Sequence, residues 1–176
     1  VLRKEAFILY LVLVMFVSGC SSNSLEGMQK YQNDKQGIEF KLPEDWTVTD
    51  KSMGQGITWL VVSEDEYIEL EGHTGPFINI YGFKPGDMSI ISEKLESLRE
   101  ISDGKDLTET TSKIGGKEAI KFVTEELGEG NEKGRIVFYI IDDKDMSMLI
   151  ETIELAEDHD NSIKKMDNTI KSIKFK

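Results

Sequence analysis

The side chains able to do chemistry in this 176-residue sequence are few: one thiol, two imidazoles and several clusters of carboxylates. Asp142-Asp143-Lys144-Asp145 sets three acids within four positions, and oxygens so spaced could surround a hard cation such as Ca²⁺. The run has no glycine at its bend and no distal glutamate to close a loop. It therefore reads first as a polar hairpin turn, with Asp142, Asp143 and Asp145 as the candidate metal ligands. Glu64-Asp65-Glu66 reads as a solvated turn. Glu157-Asp158-His159-Asp160 sets an imidazole among carboxylates, a ligand set open to a transition metal, although helix capping accounts for the same acids. His73 lies in a different turn, and neither histidine belongs to a His-rich metal motif. The glycines between Gly128 and Gly134 have the wrong spacing for a phosphate loop and sit between strands, not before a helix. There is no Gly-x-Ser-x-Gly elbow, and a hydrolytic pair of carboxylates would have to be assembled from distant strands. Neither catalysis nor a cofactor is expected.

The thiol is Cys20, the sole cysteine, so no intramolecular disulfide can form. Ahead of it stand a basic start (Arg3, Lys4) and an apolar run from Ala6 to Val17. That run falls short of the ~20 apolar residues a spanning helix needs and suits the core of a signal peptide. Val1 is expected to be an alternative start codon written literally, hence Met in the cell. Val17-Ser18-Gly19-Cys20 then supplies a hydrophobic residue and two small ones before the cysteine, and resembles a lipobox. The thiol would take a diacylglyceryl group, and the small residues let a peptidase grip the backbone beside it. Residues 1–19 are expected to be removed, leaving Cys20 as a lipid-bearing first residue on the outer face of the cell membrane. Two or more acyl chains hold a protein stably where one does so only marginally.

The formal charge is −12, and Arg3, Lys4 and Glu5 together contribute +1, which leaves −13 on the chain from Cys20 onward. So acidic a body argues against nucleic acid, whose binding rests on Lys and Arg neutralising phosphates. It also disfavours adhesion to anionic lipid, so the attached acyl chains must make the membrane contact.

Residues 20–36 carry little apolar content and no sustained period, and read as a flexible tether; 37–176 read as one domain. Strands are expected over Gly37–Leu42, Trp46–Thr49, Ile57–Val62 (a longer apolar run, compatible with a central position), Tyr67–Leu70 and Phe77–Phe83. From Met88 to Ile101 the period becomes helical, with Asp87 placed to cap and Asp103-Gly104 to end it. Strands return over Leu107–Ile114, Glu118–Glu125, Arg135–Ile141 and Met146–Glu154. A last helix puts Ile163, Met166, Ile170 and Ile173 on one face. Short hairpin-linked strands with two helices define an α+β domain, an antiparallel β-sheet flanked by helices. Trp59, Tyr67, Phe77, Tyr81 and Phe83 gather in the first half, where core packing is the first reading and a pocket lining the second.

Gly37-Ile38-Glu39-Phe40-Lys41-Leu42-Pro43-Glu44-Asp45-Trp46 resembles the opening of PsbP/Mog1-like domains, with a glycine, an alternating strand, a proline turn and a tryptophan. Gly115-Gly116-Lys117-Glu118-Ala119 and the closing Asn168–Phe175 run are similar too. The resemblance covers about residues 37–175 and implies an α/β/α sandwich around an antiparallel sheet. It also implies a non-enzymatic accessory or binding role, and transfers no catalytic residue. The expected protein is thus a membrane-anchored extracytoplasmic lipoprotein whose domain binds an unknown protein or small ligand. A divalent-cation-binding domain and, last, an envelope hydrolase are the alternatives.

Overall fold

Phe77-Ile78-Asn79-Ile80-Tyr81-Gly82-Phe83 forms the strand that its alternation predicts, buried on both faces for nearly its whole length. The computed structural model of the chain describes residues 27–34, 36–52, 56–64, 76–101, 107–125, 134–154 and 159–176. Among them are ten strands and two helices: β1 (Met28–Asn33), β2 (Ile38–Pro43), β3 (Trp46–Asp50), β4 (Thr58–Glu64), β5 (Phe77–Phe83), α1 (Ser89–Ile101), β6 (Thr108–Ile114), β7 (Lys117–Glu125), β8 (Arg135–Asp142), β9 (Ser147–Glu154), α2 (His159–Lys171) and β10 (Lys174–Phe175). The expected strand at Tyr67–Leu70, the acids Asp65 and Glu66, His73, Asp103-Gly104, Glu157-Asp158 and residues 1–20 lie outside the described residues.

Seven strands form one sheet in the order β3-β4-β5-β9-β8-β7-β6, and three form a smaller one in the order β1-β2-β10; every pairing is antiparallel. The large sheet separates two cores. On one face α1 lays Ile91 and Leu98 against Tyr81, Phe83, Phe138 and Leu149. On the other, α2 brings Met166 and Ile170 together with Ile38, Phe40 and Leu42 of the small sheet, against Leu60, Val62, Ile80 and Ile150. The α+β class with an antiparallel sheet between helices is as expected, and the small sheet shares a layer with α2. Asp87 caps α1 as its position predicts, its Oδ1 accepting from the Ser89 amide at 3.3 Å and the Ser89 hydroxyl at 2.7 Å.

Two local readings are corrected. Residues 28–33, within the segment expected to be a tether, pair with β2 from Met28↔Pro43 to Asn33↔Ile38. Their inward anchor is a single aromatic, Tyr31, whose ring lies 4.9 Å from that of Phe40, so the strand has almost no apolar period to display. The Ile57–Val62 run forms β4, which is covered but lies next to the edge; the central position belongs to β9.

The β6–β7 hairpin turns on Gly115 (φ 56°) and Gly116 (φ 84°), the left-handed pair that a two-residue turn of this hand requires. A Cβ on Gly115 would meet Phe175 ring carbons at 2.7 and 2.8 Å, whereas one on Gly116 meets nothing within 4 Å. Gly116→Ala should therefore cost about 1 kcal/mol from backbone conformation alone. Gly115→Ala should cost about 2–3 kcal/mol, because Phe175 and with it β10 must move. Equal urea midpoints for the two variants would show that the Phe175 contact contributes nothing.

Candidate functional site

The sheet's α1 face carries an aromatic row with a carboxylate beneath it. Trp59 on β4, Tyr81 and Phe83 on β5 stack in succession, with centroids 5.7 Å and then 6.4 Å apart and interplanar angles of 22° and 7°. Side chains alternate across a strand, so Asn79 shares this face with Phe77, Tyr81 and Phe83. The β5–β9 register sets Asn79 directly opposite Glu151. Glu151 is only 5% exposed, and a carboxylate so placed is costly unless it is paired. Its Oε2 accepts from Asn79 Nδ2 at 3.0 Å and from the Tyr81 hydroxyl at 3.5 Å, and lies 3.6 Å from the Lys94 ammonium of α1. Asn79 Oδ1 in turn accepts from the Trp59 indole N–H at 3.1 Å. Lys94 Nζ sits 5.6 Å from the centroid of the Tyr81 ring, and Lys51 Nζ 5.8 Å from that of Trp59. The arrangement ties α1 to the sheet through one shared oxygen.

Burial, then the neighbouring Glu151 charge, pushes the Tyr81 phenol well above its ordinary range. On the opposite face, burial and then Asp167 push Tyr139 up to about 12, with Arg135 acting in the other direction. Both phenols stay neutral in the fold while an unfolded chain ionises them near pH ~10. The stability they contribute is therefore whole below that pH and is lost as pH rises toward and through 12. Absorbance at 295 nm should show both ionising in one cooperative late step that coincides with loss of circular dichroism. Tyr81→Phe and Tyr139→Phe should each remove amplitude from that step; a smooth ionisation near pH ~10 would contradict it.

The residues singled out in the sequence are distributed elsewhere. Asp142, Asp143 and Asp145 do share the β8–β9 turn, but the oxygens of Asp142 and Asp143 are engaged by neighbouring protein groups. Asp143 Oδ1 accepts from the Asp145 and Met146 amides at 2.8 and 3.0 Å, and its Oδ2 holds the Lys117 ammonium. That lysine, followed by the turn amides, keeps the Asp143 carboxyl below the usual carboxylate range. Asp142 accepts from the Ser147 hydroxyl. Among the described residues no group of three His, Cys, Asp or Glu side chains could hold a metal ion. Glu64 accepts from the Trp46 indole at 3.2 Å and from Lys165 at 3.2 Å, so it belongs to the packing of α2. His159 and Asp160 begin α2. Of the five aromatics, Trp59, Tyr81 and Phe83 come together in the row; Phe77 is buried on the same strand, and Tyr67 lies outside the described residues.

Sequence reasoning passed over Glu151 and Asn79, although a signal existed. Each is flanked two positions away on both sides by large apolar residues: Leu149 and Ile153, and Phe77 and Tyr81. In a strand those neighbours share a face, so a polar residue between them is on the buried one.

Two helices on opposite faces of an antiparallel sheet, with a small sheet beside the second helix, define a PsbP-like fold. The solution structure of cyanobacterial PsbP (CyanoP) from Synechocystis sp. PCC 6803 is similar at a TM-score of 0.53 and 16% identity, over 90% of this chain and 98% of that one. A crystal structure from Bacteroides thetaiotaomicron is similar at a TM-score of 0.52 and 15% identity over 85% of this chain; the match spans about half, 49%, of that longer chain. LpqN of Mycobacterium tuberculosis, described as involved in cell envelope biogenesis, aligns at a TM-score of 0.41 and 9% identity over 84% of this chain and 90% of that one. At these identities the likeness is one of fold. No family model and no curated protein sequence matches the chain. Among the described residues no helix is long and apolar enough to cross a membrane.

Proposed function

We propose that the chain is a membrane-anchored extracytoplasmic lipoprotein whose PsbP-like domain is a non-catalytic module binding a protein or small ligand outside the cytoplasmic membrane. The observation that carries this reading is the quartet Val17-Ser18-Gly19-Cys20 at the end of a basic and apolar leader. The fold lends support in a second way. Glu151, Asp143 and Glu64 are each engaged in holding one element to another, a structural use of carboxylates that is consistent with a module acting through its surface.

Radiolabelled palmitate should enter the protein, and Cys20→Ala should abolish labelling and accumulate an unprocessed precursor. An unlabelled wild type, or a Cys20→Ala chain still firmly in the membrane fraction with its leader removed, would sink the anchor. For the module, pull-down from envelope extracts should recover a partner. Repeated failure to recover any, together with a detected turnover, would overturn the non-catalytic reading.

A further inference from the structure

The acidity of this chain is not evenly spread. Five of its 21 Lys and Arg residues, Lys30, Lys41, Lys113, Lys171 and Lys174, line one cleft of about 670 Å³. They come from β1, β2, β6, the end of α2 and β10, five elements that converge where the small sheet meets the β6–β7 turn. On β2, Ile38, Phe40 and Leu42 are buried, so the alternating Glu39 and Lys41 face away from the core.

Glu39 is the sole carboxylate in the lining. Its side chain is 19% exposed, and it is shared between Lys30 at 2.9 Å and Lys174 at 3.7 Å. Lys113 pairs at 2.9 Å with Glu118 in a fully exposed contact that screens little. Lys41 and Lys171 have no ion pair among the described residues. Lys30 and Lys41 are moreover direct register partners across β1 and β2, and like charges facing each other on a sheet work against its stability. Folding gains nothing from that juxtaposition, yet the lining holds five lysines and a single glutamate on a molecule whose net charge is −12. Gly115 and Gly116 form part of the wall. The Phe175 ring lies against Gly115, whereas a Cβ on Gly116 would meet nothing within 4 Å, so a ligand there reaches open backbone at Gly116.

The geometry points to a binding site for phosphate-bearing anions, of the kind displayed by a phosphatidylglycerol headgroup or by free phosphate. Several ammonium groups around one hollow suit a tetrahedral oxyanion, which accepts from several donors at once. The headgroup as source rests on the lipoprotein reading above. Ten positions separate Cys20 from Lys30, so a fully extended chain places the cleft within about 35 Å of the lipid. Overall acidity disfavours a membrane contact, and this face reverses the sign locally.

The test is titration of the full chain in dodecyl maltoside with inorganic phosphate, glycerol 1-phosphate and water-soluble dihexanoyl phosphatidylglycerol. It is read by ¹H–¹⁵N shifts of backbone amides and lysine ammonium groups. Saturable shifts confined to the cleft are expected, with Lys41→Gln and Lys171→Gln each weakening binding about tenfold. Lys144→Gln, on the exposed β8–β9 turn, should leave it unchanged. Tighter binding of the two glycerol-bearing probes supports the headgroup; equal affinity for all three supports a free phosphate. Shifts scattered over the surface lysines, none at millimolar concentration, or full affinity in the Lys41 and Lys171 variants would overturn the site. Lipid on Cys20 is not needed for this measurement, so an empty cleft and a failed anchor give different results.

Discussion

Trp46→Ala should lower the unfolding free energy by about 3–5 kcal/mol, the range for deleting a large buried aromatic. The side chain is 2% exposed and closes the core between the large sheet, the small sheet and α2. Its register partner on β4 is Glu64, which takes the indole N–H at 3.2 Å. Lys165 of α2 bridges the same carboxylate at 3.2 Å and Asp45 at 2.7 Å, with its Nζ 5.9 Å from the centroid of the indole ring. Removing the indole thus opens a void and loosens the polar clasp that docks α2 beside β3. Trp46→Phe keeps most of the apolar body and should cost about 1–2 kcal/mol, chiefly the lost N–H bond and imperfect packing. Urea unfolding followed by circular dichroism separates the two. A loss below about 1 kcal/mol in the alanine variant would mean that Trp46 is not part of the core.

Glu151→Leu should cost about 2–3 kcal/mol, because it strands the buried Asn79 amide, which otherwise donates to Glu151 at 3.0 Å. Lys94 is about a third exposed and can turn to water, so its loss of partner adds little. The informative comparison is the double variant Asn79→Leu/Glu151→Leu. With both polar groups gone neither strands the other, and stability should recover part of the loss. The Trp59 indole N–H and the Tyr81 hydroxyl, left without their acceptors, keep the double variant below the wild type. Hydrogen exchange should show α1 opening more readily in Glu151→Leu and in the double variant, since both remove the carboxylate that Lys94 reaches. Simple additivity of the two single changes would show that Asn79 and Glu151 are not coupled.

Elements whose periods are carried by apolar side chains were legible from the residues alone. Phe77–Phe83 has the bounds its alternation gives, and the hairpin at Gly115-Gly116 lies where two adjacent glycines demand it. Edge and terminal elements were not, for a physical reason. β1 buries so little that Met28–Asn33 looks like a linker, and β10 is two residues long, pairing only Lys174↔Glu39 and Phe175↔Ile38. Ile173 belongs to the apolar face predicted for the last helix but lies just past its end. A tight turn, in which the Ile173 amide donates to the Ile170 carbonyl at 3.1 Å, keeps it buried. The polar network and the lysine cleft depend on register between strands far apart in sequence, Asn79 with Glu151 and Lys174 with Glu39. Nothing within either segment encodes its partner.

The seam between β5 and β9 has a consequence for how the chain comes together. It matches Phe77 with Ile153 and Phe83 with Ser147, and α1, β6, β7 and β8 form a closed excursion between them. The hairpins β6–β7 and β8–β9 can zip from near neighbours, whereas β3, β4 and β5 wait for a partner made much later, so completion of the sheet is a slow, long-range closure. Until then β5 is a naked apolar ribbon edge, the type of surface that pairs with its like on another copy. A fragment ending before residue 147 would carry that hazard permanently.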